Sequence, residues 1–416
     1  MKKVITMVGT SLFENYLEMY SNDTNFKNAY NYFKNNKSKA NDLDKELNRK
    51  GNIEGSLRRN YFKNNQNASA EIKSLIKLKE KLDEELEIYL IFSDTALSRL
   101  VAERLYKVFY KYKPYDELKD CEVKEPVKIK GLQVWDRREF NKGLDNLISE
   151  IDKISNGYYD NIIINITGGY KVTIPYLTIF AQVNKCPIYY IFEDTEELIE
   201  ITPTPIDINW GLFEKYSHLL NKFSEGVYDM KNLRKEYSEY DSFYNEFKSL
   251  LWIDNDLGEL NPLGNIFWNK YKDIILVYIA KTSEYFERLT DKDKKKIENS
   301  IRELYLRLTN FIGKVNSKKE AIDKIISLNE NDLRHAKVID RDNGVFIFKS
   351  TNEEHIRLLY SFEIDNDGNI SSIRIYDFVY QKFEHNEYID EFKNNYPALK
   401  DKETTIIPIK KEVQHV

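Results

Sequence analysis

The strongest constraint on the fold is an alternation of apolar runs and amphipathic segments in the N-terminal half of the chain. Four apolar runs have the length of buried strands: 3–9, 88–93, 161–166 and 187–192. Three segments space their apolar residues along one face of a helix: 96–112, 140–155 and 171–183. A further short strand is expected at 132–135. This order is typical of an α/β domain, so we predict a Rossmann-like, mostly parallel sheet over residues 1–205.

Three of these strands run directly into short polar loops rich in glycine and hydroxyl groups. The loop residues are Gly9, Thr10 and Ser11; Ser93, Asp94 and Thr95; and Thr167, Gly168, Gly169, Tyr170 and Lys171. In an open parallel sheet, ligands bind beyond the carboxyl ends of the strands, so all three loops are predicted to share one rim. Glycines let the backbone approach a phosphate, hydroxyls and helix N-terminal amides donate to its oxygens, and Lys171 adds a positive charge.

One such loop alone more often marks a turn followed by a helix cap, but three on one rim favour a nucleotide ligand. The first strand is not followed by GxGxxG, and the sequence contains no GxxxxGK[ST]. Dinucleotide binding and nucleoside triphosphate hydrolysis are therefore disfavoured.

The pattern changes near residue 205. Residues 211–285 are expected to be helical, with a break at 253–265 that predicts a wing or a hairpin, and 291–309 forms a charged helix. The period then becomes strand-like in four segments: 335–340, 344–350, 356–364 and 370–378. Asp367-Gly368 is a good hairpin turn between the last two. We predict a helical, winged-helix-like connector over 206–280 and an α+β module with an antiparallel sheet over 281–416.

Composition indicates the cellular environment of the protein but not its chemistry. The formal net charge is −5, so any nucleic-acid site must be local. The two cysteines, Cys121 and Cys186, are too few for a disulfide framework, and no apolar stretch reaches about 18 residues. We expect a cytoplasmic protein with no membrane partner and no metal.

The C-terminal module carries the second set of candidate residues: His335, Lys349, Arg357, Tyr380, Lys382 and His385. These groups suit metal-free RNA cleavage by the 2′-hydroxyl, since His, Tyr or Lys can move protons and Arg or Lys can stabilise the phosphorane charge. A basic side chain is costly to bury within an apolar strand, so Arg357 is expected to face an open concave surface. The alternative is a surface salt bridge from Arg357 to Glu353 or Glu354.

The N-terminal motifs resemble a known family. The runs VGTSLFEN (8–15), SAEIKSL (69–75), FSDTALSRLVAERL (92–105), LQVWDRREFNKGLDNLISEI (132–151) and NITGGYKVTIPYLTIFA (165–181) resemble, in order, the CARF domain. CARF domains are CRISPR-associated Rossmann-fold sensors of cyclic oligoadenylate. The resemblance implies a homodimer with one ring, cyclic tetra-adenylate being favoured, bound across the two-fold axis. It places Thr10, Ser11 and Asn15 on one face of the ring and residues 93–95 on a second wall. Residues 168–171 would close over the phosphates.

The polar segment 20–66 has no clear counterpart in that pattern. It is expected to be a lid, a dimer arm or decoration.

A looser resemblance covers residues 280–395. The runs FERLTDKDKKKIENSIREL (286–304), VFIFKSTNEEHIRLLYSFEID (345–365) and IYDFVYQKFEHNEYI (375–389) look like the RelE/HigB/ParE toxin superfamily. It implies that Lys349, Arg357 and Lys382 contact phosphate, that His335, Tyr380 or His385 assists proton transfer, and that the substrate is RNA on the translating ribosome. Residues 318–416 depart from this basic family, with 15 basic and 19 acidic side chains, so long-range attraction to RNA would be weak.

Two other nucleases and one regulator compete with this assignment. A HEPN nuclease needs an Arg four to six residues before a His, and no His has one. The simplest fit to a metal-dependent Glu-x-Lys motif, Glu122-Val123-Lys124, falls inside the predicted sensor domain. The remaining alternative is a cyclic-oligoadenylate-responsive transcription regulator with a winged helix and a non-catalytic C-terminal module.

Overall fold

The computed structural model describes residues 1–50, 61–63, 65–192, 197–280, 289–328, 337–351, 353, 356–380 and 387–411. The chain forms two compact units, and each unit draws on two stretches of the chain. The N-terminal unit comprises Met1–Asp207 and Tyr244–Phe267, and the C-terminal unit comprises Ile208–Phe243 and Trp268–Val416. The predicted division into three consecutive functional domains stays a prediction.

The N-terminal unit is built on a mostly parallel sheet. Its strands among the described residues are β1 (Lys2–Met7), β2 (Leu86–Ser93), β3 (Glu122–Val123), β4 (Val127–Ile129), β5 (Ile162–Asn165), β6 (Ile188–Ile191) and β7 (Leu198–Ile201). The order is β3-β2-β1-β5-β6-β7, with β4 also paired to β2. All pairs are parallel except β6 with β7. The predicted parallel α/β sheet is therefore confirmed.

Helices connect and cover these strands. They are α1 (Ser11–Met19), α2 (Thr24–Asn35), α3 (Leu43–Lys50), α4 (Ala70–Leu82), α5 (Ala96–Tyr106), α6 (Arg137–Ser155) and α7 (Ile174–Asn184). Side-chain caps begin several of them: the Ser69 hydroxyl accepts from the amide of Ile72, and Asp136 accepts from Arg138 and Glu139. These caps fix where the chain turns from loop to helix.

The predicted strand at 132–135 is wrong. Leu132 is buried, but its amide donates to Ile129 and its carbonyl accepts from Asp94, so it lies in a turn. The Gln133 side chain then accepts from the amides of Trp135 and Asp136 and leads the chain into α6. The apolar residues here reach the core from a loop. The strands that pair with β2 on this side lie earlier in the chain, at β3 and β4.

The segment 20–66 contributes to the core of this unit. Phe26, Tyr30 and Phe33 of α2 are buried in the same apolar cluster as Phe13 and Tyr16 of α1. The Phe13 and Phe26 rings meet edge to face at 5.4 Å, and Tyr16 lies 4.6 Å from Phe26. Helix α2 is therefore a structural part of the unit rather than decoration.

A hairpin and a helix complete the N-terminal unit. Strands β9 (Leu251–Asp254) and β10 (Leu257–Leu260) pair in antiparallel register, as the break at 253–265 predicted, and α12 (Pro262–Asp273) follows. Helix α6 holds this element: Arg138 pairs with Asp254 at 2.9 Å, and Asn265 donates to Asp145 at 2.9 Å.

The C-terminal unit is built on a mixed sheet. Its strands are β11 (Ile274–Ala280), β12 (Lys337–Asp340), β13 (Val345–Lys349), β14 (Ile356–Ile364), β15 (Ile370–Tyr380) and β16 (Thr404–Lys410), in the order β12-β13-β14-β15-β11-β16. The four strands from β12 to β15 are antiparallel, which confirms the predicted hairpins. Strand β11 lies in a segment that was predicted to be helical, and it runs parallel to β15 and antiparallel to β16.

Helices pack on both faces of this sheet. Helices α13 (Asp291–Ile312) and α14 (Lys318–Ser327) share one apolar cluster with Phe346, Leu358 and Tyr360. Helix α15 (Glu387–Leu399) covers the other face, where Tyr388 and Phe392 pack on Ile347 and Leu359.

The remaining helices are short and aromatic. They are α8 (Trp210–Lys215), α9 (Ser217–Glu225), α10 (Met230–Glu236) and α11 (Tyr240–Phe247). The two-residue strand β8 (Tyr228–Asp229) lies between α9 and α10. Tyr216, Phe223 and Phe243 are buried against one another, and Trp268 is buried as well. No helix in the described ranges is long and apolar enough to cross a membrane.

We predict that Phe26→Ala lowers the free energy of unfolding by about 3–5 kcal/mol, because it removes a fully buried ring from α2. Denaturant unfolding followed by circular dichroism measures this loss. The control Lys27→Ala changes an exposed neighbour on the same helix and should leave stability within about 0.5 kcal/mol of wild type. A loss below about 1 kcal/mol for Phe26→Ala would favour a loosely attached α2.

Asp145 gives a pH-dependent prediction. Burial raises the pKa of its carboxyl to about 6, although the hydrogen bond from Asn265 favours the charged form. The folded state then holds more protons than the unfolded state between about pH 4 and pH 6, so stability falls as the pH rises through that window. Asp145→Asn should remove this fall and raise stability at pH 7 by about 1–2 kcal/mol, allowing for partial exposure.

Urea unfolding at pH 4 and pH 7 tests this expectation. Asp160→Asn alters an exposed carboxylate in the same unit and serves as the matched control. Parallel stability profiles for Asp145→Asn and wild type would refute the role given to Asp145.

Candidate functional site

A cavity of about 840 Å³ opens at the carboxyl ends of β1 and β5 in the N-terminal unit. Strands β1 and β5 are parallel neighbours, with Thr6 opposite Asn165, so the loops that follow them emerge side by side. The cavity brings together eight of the residues predicted from sequence: Gly9, Thr10, Ser11, Asn15, Thr167, Gly168, Gly169 and Lys171.

The two loops pack so closely that only glycine fits. A Cβ on Gly9 would lie 2.8 Å from the amide nitrogen of Gly169, and Gly169 itself has a φ of +85°. A Cβ on Gly168 would lie 2.2 Å from a carboxylate oxygen of Glu71 and 2.6 Å from the carbonyl oxygen of Met7. These glycines allow the two loops to pack backbone against backbone, and this packing sets the shape of the cavity floor.

Glu71 lies beneath this rim and was not among the predicted site residues. Its side chain is fully buried, and it accepts hydrogen bonds from the Gly9 amide at 2.7 Å and from the Ser11 hydroxyl at 3.2 Å. The signal in the sequence is its position in the first turn of α4, directly after the Ser69 cap. One carboxylate thus fixes the β1 loop and lies against the β5 loop.

The hydroxyls of the β1 loop also donate to carboxylates. The Ser11 oxygen donates to Glu71 and accepts from the amide of Ala70 at 3.0 Å. The Thr10 hydroxyl donates to Glu14 at 3.2 Å, and the Asn15 amide donates to the carbonyl oxygen of Asn67 at 2.9 Å. In this arrangement these side chains offer acceptor oxygens to the cavity.

Charged residues of both signs line the cavity. Lys73 of α4 and Lys171 after β5 contribute positive charge, and Glu14 and Glu18 of α1 contribute carboxylates. Burial alone would raise the pKa of the Glu14 carboxyl, but hydrogen bonds from Tyr30 and Lys34 outweigh it, and the pKa lies below its ordinary value. Glu14 is therefore ionised at neutral pH, beside lysines that suit an anionic ligand.

The loop after β2 serves a different purpose. Ser93, Asp94 and Thr95 are buried, and they do not line this cavity. The Thr95 hydroxyl accepts from the amide of Ser98 and caps α5, while the Asp94 carboxylate accepts from the amide of Gly131. Their side chains hold α5 and the turn near residue 131, and the predicted second wall of the ligand site stays a prediction.

Two further residues of the β5 loop, Thr167 and Tyr170, are both half-buried but have different contacts. The Thr167 hydroxyl donates to Asn165 and accepts from the amide of Ile191, so it ties β5 to β6. Tyr170 is half-buried and does not line the cavity, and its carbonyl oxygen accepts from Thr173.

In the C-terminal unit, Lys349 and Arg357 lie directly opposite each other on β13 and β14. They share the face that α15 covers. Two cations at opposed positions of an antiparallel pair repel each other, so this position favours a bound anion.

The expectation that Arg357 faces an open surface is wrong. Only 6% of it is exposed, its guanidinium lies 5.7 Å from the centre of the Tyr388 ring, and it donates to the carbonyl oxygen of Ile356 at 3.0 Å. Burial lowers the pKa of the guanidinium, and the nearby Tyr388 partly opposes this. The stretch 375–389, which resembles one run of the toxin superfamily, contributes to two elements: β15 ends at Tyr380, and α15 begins at Glu387 and covers this face.

The loop between β13 and β14 is held by a carboxylate that sequence reasoning missed. Glu303 of α13 is buried and accepts from the Ser350 hydroxyl at 2.8 Å and from the Thr351 amide at 2.8 Å. Arg307 pairs with it at 3.0 Å. Glu303 therefore fixes Ser350 and Thr351, the two residues that follow Lys349.

The other predicted catalytic residues are placed only in part. Tyr380 ends β15, and its side chain is not described. His335, Lys382 and His385, together with Glu354, lie outside the described residues. Within the described ranges, no group of three or more His, Cys, Asp or Glu side chains could hold a metal ion.

Comparison with known proteins bears on the N-terminal unit. A family model described as CRISPR-associated protein (Cas_APE2256) matches residues 66–204. Residues 66–204 are therefore similar to this CRISPR-associated family. It covers Glu71, Lys73 and the β5 loop, and it leaves the C-terminal unit outside. No curated protein matches the chain at a significant level.

We predict that Gly168→Ala destabilises the N-terminal unit by about 1–3 kcal/mol, because the added methyl group collides with Glu71 and the Met7 carbonyl. Thermal unfolding measures the effect. Gly211→Ala is the control, since its nearest neighbour is the flexible end of Ile406 at 3.3 Å. Stabilisation by Gly168→Ala, the usual outcome at a compatible position, would contradict this packing of the rim.

Proposed function

We propose that this protein is an ancillary effector of CRISPR defence in which cyclic oligoadenylate switches on RNA cleavage. The N-terminal unit binds the ring as a homodimer, with cyclic tetra-adenylate as the favoured activator, and the C-terminal module cuts RNA without a metal. The observation that carries the proposal is the cavity that joins the β1 and β5 loops, with Lys73 and Lys171 on its lining.

The cavity suits part of a cyclic oligonucleotide. Its volume of about 840 Å³ lies within the usual range for small-molecule sites. Two lysines can neutralise phosphates, and the glycines of the rim allow a ligand to approach the backbone. A symmetric ring suits a two-fold dimer, because each protomer contributes the same groups to half of the ligand. The CRISPR-associated family match supports this ligand class.

The proposed chemistry of the C-terminal module depends on Lys349 and Arg357. They lie opposite each other, and Arg357 lies in a central strand, as in the RelE-like toxins that the sequence resembles. Because Tyr388 of α15 lies against the Arg357 guanidinium, contact with an RNA phosphate would require α15 to move off this face. The 2′-hydroxyl would attack the adjacent phosphorus and form a 2′,3′-cyclic phosphate as the 5′-oxygen leaves with a proton. Tyr380, Lys382, His335 and His385 are the candidates for that proton transfer.

A cyclic-oligoadenylate-responsive transcription regulator is the second candidate. The hairpin of β9 and β10 followed by α12 favours it, since a wing of this kind contacts DNA in winged-helix proteins. The exposed turn of that hairpin carries Asp254 and Asp256, whose charge opposes approach to phosphate. RNA cleavage therefore ranks first.

Purified full-length protein incubated with RNA in EDTA, with and without cyclic tetra-adenylate, tests the proposal. We expect cutting only with the activator, on naked RNA or in a translation extract. Lys349→Ala and Arg357→Lys should each slow cutting by about 10²-fold, because each removes or reshapes a donor to the phosphorane. Arg341→Ala removes an exposed arginine of the same unit and should cut at the wild-type rate.

Three results would decide against parts of this proposal. Activator binding without cutting in either assay, together with binding of duplex DNA, would favour the regulator. Wild-type rates in both active-site variants would refute the roles of Lys349 and Arg357. Unchanged affinity of Lys171→Ala for the activator would remove Lys171 from the ligand site.

A further inference from the structure

One face of helix α1 lines the cavity. Ser11, Glu14, Asn15 and Glu18 occupy positions i, i+3, i+4 and i+7, so they project from the same side of the helix, and all four line the cavity. We call these residues the α1 face. It carries two carboxylates and no cation.

The α1 face presents hydrogen-bond acceptors. The proton of Ser11 is donated to Glu71, the proton of the adjacent Thr10 is donated to Glu14, and the Asn15 amide donates to a carbonyl oxygen. Phosphate oxygens are acceptors too, so they do not suit this surface. The α1 face suits a ligand group that carries N–H donors.

The cations of the cavity come from other elements. Lys73 belongs to α4, and Lys171 follows β5. Phosphates of a bound nucleotide would therefore lie toward these lysines, which leaves the α1 face for a nucleobase or a ribose. Adenine has one exocyclic donor, its 6-amino group, and a carboxylate oxygen is its natural acceptor.

Helix α2 of the segment 20–66 holds Glu14 in place. Tyr30 donates to the Glu14 Oε1 atom at 2.7 Å, and the Lys34 ammonium lies 3.3 Å from the same atom. Thr10 also donates to Oε1, so all three described hydrogen bonds to this carboxylate fall on one oxygen. The Oε2 atom is left for the ligand.

The clamp on Glu14 is rigid because α2 belongs to the core. Tyr30 is buried, and its ring packs edge to face on Phe13 at 6.3 Å. Tyr30 therefore orients Glu14 from a fixed position, and Lys34 keeps the carboxylate charged.

We propose that α2 fixes Glu14 as the acceptor for the 6-amino group of an adenine in the ligand, so that this helix sets the nucleobase selectivity of the cavity. This inference rests on the proposed binding of a cyclic oligoadenylate. Glu14 reads the base, and Tyr30 is a positioning residue that acts through Glu14.

The experiment compares two rings that differ at this one group. Cyclic tetra-adenylate and the cyclic tetranucleotide of purine riboside are titrated into the full-length protein by calorimetry, since purine carries hydrogen in place of the 6-amino group and keeps the N1 acceptor of adenine. Wild type should prefer the adenylate ring by about tenfold or more, the size expected for a hydrogen bond to a charged group. Glu14→Gln should reduce that preference by about threefold or more, because a neutral amide oxygen is a weaker acceptor for the 6-amino group than a carboxylate.

Two further variants secure the result. Tyr30→Phe should reduce the preference by a smaller factor, and it keeps the buried ring if Glu14→Gln folds poorly. Glu139→Gln is the matched control: its side chain is 41% exposed against 44% for Glu14, it pairs with Lys39 at 2.9 Å, and it does not line the cavity. It should keep the wild-type preference.

The outcomes separate this inference from the proposed function. A wild type that binds both rings equally, or variants Glu14→Gln and Tyr30→Phe that keep the wild-type preference, would overturn the role of Glu14 and leave cyclic-oligoadenylate sensing intact. A wild type that binds neither ring would overturn the proposed sensing itself, and this inference with it.

Discussion

The arrangement of the N-terminal cavity depends on one buried carboxylate. Glu71 accepts from the Gly9 amide and the Ser11 hydroxyl, and Gly168 packs directly against it. A buried carboxyl group is tolerable only when hydrogen bonds replace those to water, and the β1 loop supplies them. The β1 loop in turn takes its conformation from making these hydrogen bonds. The strands bring the two loops to one rim. Glu71 then accepts hydrogen bonds from the Gly9 amide and the Ser11 hydroxyl, so these donors are already engaged before a ligand binds.

Much of the N-terminal unit could be predicted because its strands are buried on both faces and appear as uninterrupted apolar runs. The β1 and β5 loops were predicted for the same reason: they follow those runs directly, and parallel neighbours deliver them to the same edge. The contribution of residues 20–66 could not be predicted, because Phe26, Tyr30 and Phe33 are scattered among Asn and Lys and reach the core only through tertiary packing. The capping role of Thr95 and the hydrogen bond from Gly131 to Asp94 likewise depend on partners distant in sequence.

The C-terminal unit shows where local periodicity misleads. Strand β11 follows directly on a helix, and its apolar run IILVYIA carries no alternation, so period alone cannot distinguish it from buried helix. Arg357 was correctly placed on a strand, but the residues that cover it were not predicted, because α15 comes from a later part of the chain. Sequence spacing fixes which side chains share a face of a strand. It does not reveal what covers that face.

The way the chain crosses between units has a consequence for how such a protein can diversify. Each unit is completed by a second stretch, so residues 244–267 return to the N-terminal unit and pair with α6 through Arg138 and Asp145. A single recombination point near residue 205 would separate α6 from this hairpin and expose the partners of both contacts. Exchange of one C-terminal module for another would therefore have to preserve the hairpin, or occur beyond Phe267, which makes the hairpin an inherited part of the N-terminal unit.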